Sequence, residues 1–170
     1  MAVSITRTLS SEIDVKLNWN IDDPNEGISQ QLDVGKIQPE YEFATGTGIG
    51  QHDTTWYNEF TVTGNNSYDI DVTALPSKLF GIPVDRQFEI IKSITIENTS
   101  PSSHVIIGTS GLSNAMTMFG YSCEIGISGV AEATSLVGYE VSSTKRNIRI
   151  TNPSSENIQC KVLILGVYGI

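Results

Sequence analysis

Histidine and cysteine, the residues most often used as bases, nucleophiles and metal ligands, are few and scattered along this chain. The two histidines are His52 and His104. His52-Asp53-Thr54-Thr55 offers a base, a carboxylate and hydroxyls in one stretch. Adjacent residues of a strand, however, point to opposite faces, so His52 and Asp53 would not meet. His104 stands alone in the Ser-rich stretch after Pro101, and no Gly-x-Ser-x-Gly elbow accompanies either histidine. Glu40 and Glu42 share one face if that stretch is extended. This would suit a glycosidase carboxylate pair or calcium, but the Asp-rich loop of a calcium site is missing. Gly46-Thr47-Gly48-Ile49-Gly50 lacks the Gly-Lys-Ser/Thr ending of a phosphate loop and the following helix. It also lacks the strand–turn–helix setting of a dinucleotide fingerprint, and it reads as a turn or strand connection.

Cys123 and Cys160 lie far apart and neither belongs to a Cys-x-x-Cys pair, which argues against zinc and thioredoxin-like chemistry. Cys160 sits in an apolar alternation and reads as a small buried hydrophobe. Nothing in the sequence supports a disulfide between them. Trp19, Trp56 and six tyrosines would serve a sugar platform, a sandwich core or a subunit interface. The expectation is a protein without catalytic centre, cofactor or metal.

The elements that must carry these residues are strands. The chain has 170 residues, 39% apolar and 17% charged, enough for one domain with a core. Low charge with many Ser, Thr, Asn, Gly and β-branched residues suits an all-β protein. The net charge of −9 repels nucleic-acid phosphates and anionic lipid and permits docking on a basic protein surface. No apolar run approaches the ~18 residues of a membrane span, and the first residues lack the pattern of a secretory signal. No nucleic-acid or membrane partner is expected.

At the N-terminus Ile5, Leu9, Ile13, Val15, Leu17, Trp19 and Ile21 are odd-numbered, with polar residues between. Period two gives one apolar and one wet face. The run is too long for one ordinary strand, so two strands or an extended arm meeting a neighbour fit better. Asp22-Asp23-Pro24-Asn25-Glu26-Gly27 ends it with turn chemistry. Residues 28–50 are weakly patterned. Strands are expected at Thr55–Thr63 and Ser67–Thr73, joined as a hairpin by Gly64-Asn65-Asn66. Residues 76–83 read as a loop or one helical turn. Phe88–Asn98 alternates on Phe88, Ile90, Ile94 and Ile96. Further strands are expected at 105–107, 116–121, 136–142, 147–151 and 158–167.

"SITIENTSPSSHVIIG" (93–108) echoes "NIRITNPSSENIQCKVLILG" (147–166), each an apolar strand, an Asn with Ser, Thr and Pro, and a second apolar strand ending in Gly. Two such hairpins suggest a sandwich. The expected fold is all-β: an antiparallel, jelly-roll-like β-sandwich of roughly eight to ten strands. An extended N-terminal strand or arm with its linker occupies residues 1–45, and the sandwich domain residues 46–170. An immunoglobulin-like sandwich is the rival.

Four separated blocks share an order and spacing: "MAVSITRTLSSEIDVKLNWN", "ATGTGIGQHDTTWYNEFTV", "YDIDVTALPSKLFGIPVDRQFEIIKSITIENTS" and "NIRITNPSSENIQCKVLILG". Together they resemble a family of small tailed-phage virion proteins, from residue 4 to the end. The Pro-Gly-Gly expected before the "LVG" strand is replaced by Gly126-Ile127-Ser128-Gly129. The resemblance implies a virion structural protein and supplies no catalytic residues. On this reading the chain is a capsid decoration or cement protein, a homotrimer on the outer surface of the phage head, made in the host cytoplasm. Its partner is the major capsid protein. The contact residues expected are Ile5, Leu9 and Ile13 on the N-terminal strand face, and Met116, Met118 and Phe119 in the apolar 115–119 segment. The alternative is a receptor- or glycan-binding sandwich of a head fibre or tail.

Overall fold

The structure is a computed structural model that describes residues 7–10, 13–19, 30–37, 40–79, 82–108 and 114–169, with side chains described for 43–77, 85–108 and 114–169. The strands in chain order are β1 (Arg7–Ser10), β2 (Ile13–Trp19), β3 (Gln30–Ile37), β4 (Glu40–Thr45), β5 (Gln51–His52), β6 (Thr54–Val62), β7 (Asn66–Asp71), β8 (Leu75–Leu79), β9 (Ile82–Arg86), β10 (Phe88–Asn98), β11 (Val105–Gly108), β12 (Ser122–Ile125), β13 (Val130–Glu140), β14 (Asn147–Asn152) and β15 (Ile158–Tyr168). No helix occurs among the described residues.

Eight strands make two four-stranded antiparallel sheets, ordered β13-β10-β15-β6 and β12-β11-β14-β7. The two orders correspond position by position. Each strand of one sheet is joined in sequence to its counterpart in the other: β6 to β7, β10 to β11, β12 to β13 and β14 to β15. This is a jelly roll, and it excludes the immunoglobulin-like alternative, whose strands are distributed differently between the sheets. The core lies between the sheets. Trp56, Val62, Ile94, Ile96, Val162 and Ile164 from one meet Ile70, Val105, Ile107, Ile125, Ile148 and Ile150 from the other in a single buried cluster. β-Branched isoleucine and valine suit this pleated, two-layer interior.

The four connections between layers gather at one end of the sandwich, held by backbone hydrogen bonds from Asn65 N–H to Ser154 O (2.6 Å), Thr99 N–H to Gln159 O (3.0 Å) and Ser128 N–H to Ser100 O (3.0 Å). Gly64-Asn65 is therefore a corner between sheets rather than a hairpin: β6 pairs with β15, and β7 pairs with β14. The echoing segments 93–108 and 147–166 are likewise two corners, not two hairpins. Turn chemistry explains the difference. Asn65 does adopt a positive φ of 56°, but such a turn serves a hairpin and a corner alike.

Other departures also have local causes. β10 carries a bulge between Ile91 and Ser93. The extra residue shifts the phase, so Ile91 rather than Ile90 is fully buried, as expected when a bulge re-aims side chains. Residues 75–86 form the two-stranded antiparallel unit β8–β9, with Pro76 opposite Asp85 and Lys78 opposite Pro83. Prolines are tolerated in so short a sheet because its strands are edges. β3 and β4 lie in the stretch read as weakly patterned. The N-terminal alternation divides into β1, paired with β4, and β2, paired with β3. Residues 116–121 form a turn instead of a strand.

Candidate interaction surface

The candidate acid–base residues are not brought together. His52 is buried, its ring edge-on to Phe43 at 6.3 Å. Asp53 is exposed, and its Oδ1 accepts the Tyr168 backbone N–H at 2.8 Å, tying the start of β6 to the end of β15. His104 stands 3.9 Å from Glu124 on the outer face of the second sheet. Glu42 and Glu40 lie opposite Thr8 and Ser10 in the β1·β4 ladder. Among the described residues no group of three or more His, Cys, Asp or Glu side chains converges as a metal site would. No helix among them is long and apolar enough to cross a membrane.

The Gly46–Gly50 run is a folded connection wrapped round one amide. Gly48 N–H donates to Gln51 Oε1 at 2.8 Å, and a Cβ at Gly46 would stand 2.5 Å from that oxygen. Gly50 N–H then reaches Leu136 O on β13, at 2.9 Å, and Asp53 N–H reaches Gly166 O on β15, at 3.1 Å. Residues 50–53 therefore link β13 to the start of β6, on the edge of β15. Trp56 follows at once, buried in the core with its indole N–H donated to Pro76 O at 2.9 Å.

Of the expected contact residues, Ile5 lies outside the described residues. Leu9 pairs with Tyr41 and Ile13 with Ile37. Met116 is a core residue whose backbone N–H bonds Asn147 O at 2.8 Å; Met118 and Phe119 are half-buried against that core. Met116, Met118, Tyr139, Glu140 and Lys145 line a cavity of ≈ 100 Å³. Cys160 is fully buried, and burial pushes its thiol up to about 11; Cys123 is half-buried, and both are free.

The upper part of the β13-β10-β15-β6 sheet was not singled out by sequence. Its outer face follows from the registers. Lys161 lies between Glu59 on β6 and Glu97 on β10, and Val130 continues that row on β13. The next row is Tyr57, Leu163, Thr95 and Glu132. Lys161 Nζ is 3.4 Å from Glu97 Oε2. The Tyr57 hydroxyl donates to Glu59, and that bond pushes the phenol pKa above its ordinary value. Toward the corners, Glu59, Thr61, Thr99, Gln159 and Lys161 line a depression of ≈ 240 Å³. Alternation in 57–61 and 159–163 was the available signal, but only the strand registers join the two stretches.

No family model matches the chain, and no curated protein matches it. Among solved structures it is similar to the PirA crystal structure, with TM-score 0.38 and 16% identity over 66% of this chain and 96% of that one. It is also similar to a chain of the cyanophage Pam1 capsid asymmetric unit, with TM-score 0.34 and 15% identity over 66% of this chain and 84% of that one. These scores and identities are too low for either likeness to bear on function.

Proposed function

We propose that the chain is a structural protein of a tailed-phage virion, a decoration or cement protein that stabilises the head shell through protein–protein contacts. The observation that carries this reading is the ordered series of sequence blocks that resemble small virion proteins, and where those blocks fall. The block at 44–62 supplies the Gly46–Gly50 connection, β5 and β6, that at 68–100 runs from β7 through β10, and that at 147–166 supplies β14 and most of β15. The resemblance thus includes five of the eight jelly-roll strands, β6, β7, β10, β14 and β15.

The role needs surfaces and no reactive centre. A homotrimer fits it, because closed cyclic symmetry repeats one contact at a three-fold position. The outer surface of the head and the major capsid protein are the corresponding place and partner. The test is occupancy: heads of the phage that encodes the chain, prepared without it, are mixed with the purified protein and sedimented. Co-sedimentation at a fixed stoichiometry supports the reading, and its absence overturns it. Light scattering after size exclusion tests the trimer.

A second reading is a receptor- or glycan-binding module. Two observations favour it: Tyr121 is 82% exposed on the turn before β12, and the polar depression beside Glu59 and Gln159 has room for a small polar ligand. Binding to a glycan array by the purified protein would select this reading.

A further inference from the structure

The N-terminal ladders keep one register. Arg7 lies opposite Phe43 and Ser10 opposite Glu40, then Ile13 opposite Ile37 and Asp14 opposite Lys36. β1 with β4 and β2 with β3 are therefore two stretches of one antiparallel ribbon. Phe43, at its base, is fully buried with its ring edge-on to His52, which fixes that end to the body. Beyond the base, β2 and β3 ladder only with each other among the described residues. A two-stranded ribbon is marginal in water unless one face is packed. Alternation supplies such a face. Ile13, Val15, Leu17 and Trp19 share one face of β2, and the register adds Ile37 opposite Ile13 and Leu32 opposite Leu17. The extra residue of the bulge falls on β3, between Lys36 and Asp33, so the alternation of β2 is unbroken. The other face sets Asp14 opposite Lys36 and Lys16 opposite Asp33.

The chain's own sandwich leaves that face without a cover. Tyr57, Thr61, Val130 and Gln159 are exposed on one outer face, and Ser67, Asp69, Ser122 and Glu124 on the other, so the ribbon lies over neither. We propose that the apolar face of β2–β3 is the surface on which copies of this chain assemble, ribbon on ribbon. Charge selects the occupant. β2 and β3 carry two carboxylates and two ammoniums, which cancel, in a chain of net charge −9. Like-charged bodies repel, and the neutral ribbon is where two copies can approach closely. The apolar face holds no ionic group, so a charged partner finds nothing there to pair with, whereas a second copy brings matching apolar surface. The inference takes its three-fold symmetry from the virion reading. Three ribbons about one axis make a closed, repeated contact and leave the sandwiches free to meet the shell.

The experiment is light scattering after size exclusion on the purified full chain, without heads, across a dilution series. The unaltered protein should run as an assembly. Leu17→Glu should raise the concentration at which it dissociates by at least about a hundredfold, because every copy then brings a carboxylate into the shared apolar interior. Leu32→Glu, opposite it in the ladder, should do the same. Asn18→Lys, on the ribbon's other face, and Val137→Glu, exposed on β13, should leave assembly unchanged. Trp19 gives a second readout: its fluorescence should shift to the red when Leu17→Glu wets the ribbon, while Trp56 stays in the core. Circular dichroism confirms that each variant is folded, and Leu32→Glu covers the case in which Leu17→Glu is not. If the assembly survives both ribbon substitutions, or Val137→Glu dissociates it and they do not, the ribbon is not the contact and the inference is overturned. A protein monomeric at every concentration overturns it too. In either case the virion reading stands or falls separately, on co-sedimentation with heads. An assembly of two copies that the ribbon substitutions dissociate keeps the ribbon contact and removes the trimer from the virion reading.

Discussion

Asn98 and Asn152 close the two halves of one end of the sandwich with the same three hydrogen bonds. Both are fully buried. Each Oδ1 accepts the backbone N–H two residues on, from Ser100 at 3.0 Å and Ser154 at 2.9 Å. Each Nδ2 donates within its own corner, to Ser103 O at 2.8 Å and Glu156 O at 2.7 Å. Each also donates to the adjoining corner, to Gly126 O at 2.9 Å and Val62 O at 3.0 Å. One asparagine therefore fastens β10–β11 to β12–β13, and the other fastens β14–β15 to β6–β7. This is the physical content of the sequence echo.

Asn98→Ala and Asn152→Ala should each lower unfolding free energy by about 2–3 kcal/mol, because buried backbone groups lose their partners. Urea denaturation measures this. Asn98→Asp keeps the acceptor and loses the donor, so it should be at least as damaging at neutral pH. It should recover in part as pH falls and the protonated carboxyl regains an O–H to donate.

Gly64→Ala and Gly126→Ala should separate sharply although both lie in corners. A Cβ at Gly64 would stand 2.1 Å from the Ser155 carbonyl oxygen, whereas one at Gly126 would meet nothing within 4 Å. The first should cost about 1–3 kcal/mol through backbone displacement, and the second should stay within about 0.5 kcal/mol. Thermal or urea unfolding reads both.

The bulge of β10 is filled by a buried lysine. Lys92 is 1% exposed, and its Nζ donates to Val137 O at 2.7 Å and Leu136 O at 3.2 Å. Facing it, Gly138 has φ 96°, and a Cβ there would lie 2.3 Å from Ile90 Cγ2. Lys92→Met should cost about 1–3 kcal/mol by removing the lysine's bond to the Val137 carbonyl, while Leu136 O keeps the Gly50 N–H, and Gly138→Ala a similar amount from backbone strain. Denaturant midpoints check both.

Burial holds the Cys160 thiol protonated up to about 11. In the native protein at mildly alkaline pH, Cys123 should therefore react with a thiol reagent well before Cys160, as mass spectrometry of labelled peptides would show. The raised folded pKa means that the stabilisation is complete below the unfolded thiol's ordinary value. It declines as pH rises from there through about 11, where the unfolded chain alone ionises first. Cys160→Ser removes a buried apolar contact and should unfold at lower denaturant.

What the sequence revealed depended on how local the information was. Alternation exposed β6, β14 and β15, because one face of each is packed and the other wet. The four-residue β12 is too short to show a period, and the Lys92 bulge interrupts one. Positive-φ residues marked Gly64-Asn65 as a reversal, yet whether a reversal joins neighbours in one sheet or passes to another is decided by distant partners. The charged rows on the outer face of the first sheet were hidden for the same reason. Glu59, Glu97, Glu132 and Lys161 span more than half the chain, and only the ladders of β13-β10-β15-β6 set them side by side.

β15 lies in the middle of its sheet, between β10 and β6, and is made after the other seven strands of the two four-stranded sheets. Until Ile158–Tyr168 has been made, the nascent chain holds two unmatched ribbons with apolar faces and no means of joining them. Closure must then wait for synthesis to pass this point. Such late, long-range pairing is slow and leaves the unfinished chain prone to aggregation. A chain stopped before Ile158 should be recovered bound to chaperones or in the insoluble fraction, never as a smaller folded body.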